Sequence, residues 1–81
     1  MEHLTDLEIR CLRMYANGKA DQDISAAIGH TSTTTRFVFA RLLEKLKAKS
    51  RVHAVVVAIK SGAINIDDLD RPNEIGSGTP E

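Results

Sequence analysis

From Thr31 to Leu46 the chain runs sixteen residues without a glycine or a proline, and the stretch holds both of its phenylalanines. Threonine and phenylalanine favour strands by propensity, so the pattern has to decide. Thr35, Val38, Phe39, Leu42 and Leu46 recur at i, i+3, i+4, i+7 and i+11, the single apolar face of a helix. Alternation with a period of two breaks at Leu42-Leu43 and Glu44-Lys45. The spacing therefore predicts a helix, with Thr31 or Ser32 as its cap. On that helix Phe39 faces the core, and Phe37 lies roughly opposite, with Thr33, Ala40 and Glu44.

Helix punctuation divides the rest of the chain. Thr5-Asp6-Leu7-Glu8 is a capping box, in which the threonine side chain satisfies an orphan N–H and Glu8 reaches back to the cap. Leu4, Leu7, Cys11, Leu12 and Tyr15 then recur at helical spacing up to Asn17-Gly18, a left-handed stop. A shorter helix starts near Asp21, where Asp21 and Asp23 serve as capping residues, and ends at Gly29. Ser50 caps a last helix that reaches Gly62. The expected architecture is all-α and four-helix bundle-like, with helices at roughly 5–17, 21–29, 32–47 and 50–62. Residues 1–64 form one domain. Residues 65–81, with Pro72, Pro80 and Gly76-Ser77-Gly78, read as an acidic, flexible tail.

Charge is divided unevenly between the two parts. Of 11 basic and 11 acidic residues, the first 64 positions hold ten basic and six acidic, a balance of +4; the remainder carries −4. Arg36, Arg41, Lys45, Lys47, Lys49 and Arg51 are opposed locally only by Glu44. Such a cluster is a solvated helix face or the electrostatic footprint of a nucleic-acid binder. With 81 residues and one cysteine, neither an internal disulfide nor a cysteine metal cluster can form. No apolar run is long enough to span a membrane, and a reducing, cytoplasmic setting is expected.

Few residues suggest chemistry. His3, His30 and His53 lack ligand spacing, so neither a metal site nor a cofactor is expected. Cys11 sits on the apolar stripe of the first helix and reads as inert packing. No glycine-rich phosphate loop is present, and Asp21 and Asp23 lack the pocket that acid catalysis needs. No catalytic residue is assigned, and the chain is not read as an enzyme. Arg36 beside an exposed Phe37, on the first turns of a basic helix, fits a recognition helix whose N-terminal residues meet base edges. Hydroxyls at that helix start suit phosphate.

The pattern Leu4-Thr5, Glu8, Leu12, Ala16, Gly18, Ile24, Thr34, Leu42, Lys45-Leu46, Arg51, Ala54-Val55, Ala58, Gly62 and Ile64 resembles the LuxR-type (LuxR/FixJ) helix-turn-helix DNA-binding domain. That domain stands at the C-terminus of quorum-sensing transcriptional regulators. The sequence departs from the family pattern at His30, Thr35 and Val38. The resemblance implies four helices, with the second and third forming the helix-turn-helix and the third reading double-stranded DNA. It implies base-contacting roles for Arg36, Phe37 and Ala40, with Thr33 beside them. Thr31, Ser32, Thr34, Arg41, Lys45 and Lys49 are the expected phosphate contacts.

The last helix carries two apolar stripes. Ala54, Val55, Ala58 and Gly62 form the one that packs inward. Val52, Val56, Ile59 and Ala63 form a second, about 100° further round. The second stripe is either buried too or a homodimer surface, and the resemblance favours the dimer. The expectation is a sequence-specific regulator bound to DNA as a homodimer, with RNA polymerase a further possible partner. The alternative is a protein-binding or antiactivator module on the same fold.

Overall fold

The computed structural model describes residues 3–69. It consists of α1 (Asp6–Ala16), α2 (Asp21–Ile28), α3 (Ser32–Leu46) and α4 (Arg51–Ser61), followed by one 3-10 turn at Ile66–Asp68. No strand occurs among the described residues. The four helices match the expected positions once their caps are included.

The local rules act as the sequence predicts at most ends. Thr5 accepts the Glu8 N–H at 3.1 Å, and Glu8 Oε1 accepts the Thr5 N–H at 2.8 Å, so the capping box is complete. Thr31 caps α3 by accepting the Thr34 N–H, and Ser50 caps α4 by accepting that of His53. At α2 the cap is Ala20, without a side-chain bond. Asp21 and Asp23 thus do not cap the helix as expected; they lie in its first turn, where carboxylates favour the dipole.

Gly29 closes α2 at φ +73°, which lets the His30 N–H reach the Ser25 carbonyl at 3.0 Å. The turn between α2 and α3 is therefore only Gly29, His30 and Thr31. Lys47 closes α3 in the same left-handed region, at φ +55°, without glycine's freedom. Gly62 likewise caps α4 and is exposed, so it does not belong to the packing stripe where the spacing had placed it.

α1 packs against each of the other helices, and α3 also contacts α2 and α4. Cys11, Leu12, Ile24, Val38, Phe39, Leu42, Leu46, Ala54, Ala58 and Ile64 form the buried core. All five positions of the α3 stripe are buried, and Phe37 is 67% exposed. Tyr15 meets Phe39 edge to face at 5.8 Å. Arg51 lies over the Phe39 ring, 3.9 Å from its centre, while its fork holds Asp21 through two hydrogen bonds. This one side chain ties α4 to the first turn of α2 and to the core face of α3.

The chain makes defined contacts past residue 64. Asn65 caps the 3-10 turn by accepting the Asp67 N–H at 2.9 Å, and Leu69 packs against the core. These contacts lie past the boundary expected at residue 64. The expectation for residues 70–81 lies outside the described residues.

Candidate nucleic-acid interface

The solvent face of α3 is built from what its core face leaves over. Burying Thr35, Val38, Phe39, Leu42 and Leu46 turns Thr33, Arg36, Phe37 and Ala40 outward, and all four are exposed. They line one shallow notch of about 340 Å³. The four residues expected at base edges are thus brought together. Arg36 makes no ion pair among the described residues, so its guanidinium is available.

Below the notch lies the N-terminus of α3. Thr31 is engaged on both sides, accepting from the Thr34 N–H and donating to Thr34 Oγ1 at 3.1 Å. No group among the described residues accepts from the N–H groups of Ser32 and Thr33, which are two of the orphan donors of a first helical turn. Together with the exposed Ser32 hydroxyl, these donors can hold a phosphate oxygen.

The polar link between α2 and α3 is internal. Thr35, fully buried, donates to the Thr31 carbonyl at 3.0 Å, so its oxygen is left to accept from Ser25 Oγ at 2.7 Å. The departure from the family pattern at Thr35 therefore comes with a partner. Sequence periodicity marks Thr35 as inward-facing but gives no sign of Ser25.

Charge is distributed differently from the sequence expectation at one position. Lys45 is only 11% exposed, and its Nζ lies 2.8 Å from Glu8 Oε1, with Glu8 itself 5% exposed. The same ammonium also donates to the His3 carbonyl at 3.4 Å. Lys45 holds α3 to α1 and does not present a free charge, so its expected phosphate contact is withdrawn. Arg41 remains 69% exposed, at 3.8 Å from Glu8 Oε2. Lys47 and Lys49 are exposed past the end of α3. Lys47, absent from the expected contacts, is exposed at the left-handed C-cap of α3.

Burial pushes the Glu8 carboxyl up, but the Lys45 ammonium and the Thr5 N–H outweigh it and hold its pKa below the ordinary value. The Arg51 fork lowers that of Asp21. Burial raises the Cys11 thiol, and the side chain is wholly inside. The described residues contain no group of three metal-ligating side chains.

On α4, Val52 and Val56 are 64% and 45% exposed, whereas Ile59 is half-buried, as is Ala63 just past the Gly62 cap. Val52, Val55 and Val56 border a groove of about 440 Å³ with Tyr15, Ala16, Gly18 and Lys19. The second stripe is thus split, its N-terminal half open to solvent.

A three-residue turn between two packed helices, with the second one's outer face basic and free, is the geometry of a helix-turn-helix. The sequence profile of the bacterial regulatory proteins of the luxR family matches residues 2–58. The chain belongs to the LuxR family. The matched region is that family's DNA-binding helix-turn-helix domain, and the family is one of regulatory proteins, not enzymes. This LuxR-family chain is 37% identical over 62 residues to the transcriptional activator protein VanR of Vibrio anguillarum. The matched region is 76% of the chain and 26% of VanR, so the chain spans about a quarter of that relative's length. Within the LuxR-family domain, no described helix is long and apolar enough to cross a membrane.

Proposed function

We propose that α3 enters the major groove of double-stranded DNA and that two copies bind a two-fold-related site. Arg36, Phe37, Ala40 and Thr33 face base edges. Thr31, Ser32, Thr34, Arg41 and Lys49 lie towards phosphates, joined by Lys47. The observation that carries this reading is Arg36 beside an outward Phe37, both exposed and Arg36 without an ion pair among the described residues, directly above a capped helix start. A planar guanidinium at that place can meet guanine O6 and N7 with two parallel bonds. The split stripe of α4 supports the homodimer, because Val52 and Val56 offer an apolar patch on the solvent side. As in the relative named an activator, the domain serves a regulator of transcription.

The test is selection of duplexes from a random pool by the purified chain, at two salt concentrations. A groove-reading helix enriches an inverted-repeat site, and its affinity falls steeply as salt rises. Binding that ignores both sequence and salt would assign the Arg36 face to a protein partner.

A further inference from the structure

We propose that the notch beside Arg36 reads the C5-methyl group of a pyrimidine, which is thymine in ordinary DNA and 5-methylcytosine in modified DNA. The inference rests on α3 being the major-groove helix. Thr33, Phe37 and Ala40 stand at i, i+4 and i+7, so a methyl-bearing side chain, an aromatic ring and a second methyl lie along one outward line. Arg36 supplies the charge at the rim.

The chemistry of the groove then restricts what can fill the notch. Base pairs present donors, acceptors and one apolar group there, the thymine C5-methyl. A Phe37 ring satisfies neither an amino donor nor a carbonyl acceptor, and pressing either against it leaves a desolvated polar group unpaired. The methyl fits without that penalty. Phe37 is also not needed inside, since the buried Phe39 and the half-buried Tyr15 supply the core's ring pair. A 67% exposed ring contributes little to folding, so its replacement tests recognition and not stability.

The experiment uses the full 81-residue chain and the duplexes it enriches from a random pool. Each thymine is replaced in turn by uracil, which removes only the methyl. At one position in each half-site, uracil should weaken binding roughly fourfold, the worth of one buried methyl group. With a cytosine·guanine pair installed at that position, 5-methylcytosine should bind more tightly than cytosine by a similar factor. A gain from 5-methylcytosine alongside the thymine effect assigns both sources; thymine alone confines the notch to ordinary DNA. In Phe37→Ala both differences should vanish while the salt dependence stays. Indifference of the wild-type chain to uracil at every position would overturn the proposal and leave DNA reading intact. Thymine–uracil discrimination that survives in Phe37→Ala would overturn it as well. Failure of the underlying reading has a different signature, with no sequence enriched and no response to salt, and the methyl assignment falls with it.

Discussion

Lys45 and Lys49 belong to one run of basic residues, yet they occupy opposite environments. Lys45 closes on Glu8 almost out of water, and Lys49 stands free beyond the end of α3. Lys45→Met should therefore destabilise the fold by about 3 kcal/mol, because a buried carboxylate loses its closest charged partner, as measured by urea unfolding. Lys49→Ala should leave the unfolding curve in place and reduce the salt slope of DNA binding by about one. Glu8 and Asp21 also set the acid response. Both carboxyls are held below their ordinary values of 4.5 and 3.8. Their stabilisation is complete above those values and is lost as the pH falls through the lower folded ones. Unfolding followed from pH 7 downwards should show stability declining on the acid side, and Asp21→Asn should flatten part of that decline.

The crossing of α2 and α3 depends on two hydroxyls in a space that elsewhere in the core is filled by hydrocarbon. Thr35→Val should cost about 1–2 kcal/mol, since Ser25 is left buried without a partner. Ser25→Ala together with Thr35→Val should recover most of that loss, because neither hydroxyl then remains unpaired. Denaturant midpoints of the two single variants and the double variant close the cycle. Most of α3 is legible in the sequence, because caps and the i, i+3, i+4 spacing act within one or two turns. Phe37 and Phe39 separate on that basis alone, and so do the Thr5–Glu8 and Ser50 caps. What periodicity does not show is pairing across the fold. Glu8 lies 37 positions from Lys45 and Asp21 30 from Arg51, so nothing local links them. Glu8 does carry a signal, since it stands among the inward positions Leu4, Cys11, Leu12 and Tyr15, where a carboxylate needs a partner. Asp21 resembled a cap because capping and ion pairing use the same side chain near a helix start.

At the scale of the whole molecule, four short helices share one small core, and two outward faces remain for work. On the α4 face, Val56→Glu should fold, because the position is 45% exposed. It should also abolish cooperative loading of two copies on an inverted-repeat duplex by opposing like charges across the two-fold contact. Native mass spectrometry of the DNA complex counts the copies, and retained cooperative pairs would move the dimer surface elsewhere. On the other face, the core commits Phe39 and Arg51 to one side of α3 and so leaves Arg36 on the solvent side, where the proposed reading places the groove. The most direct measurement of that claim is a competition assay of Arg36→Ala on every single-base variant of the selected site, at two salt concentrations. The geometry predicts a loss of about 1–3 kcal/mol on the best site and a flattened preference at one base pair. Unchanged affinity together with an unchanged base preference would contradict the assignment of α3 as the DNA-reading helix.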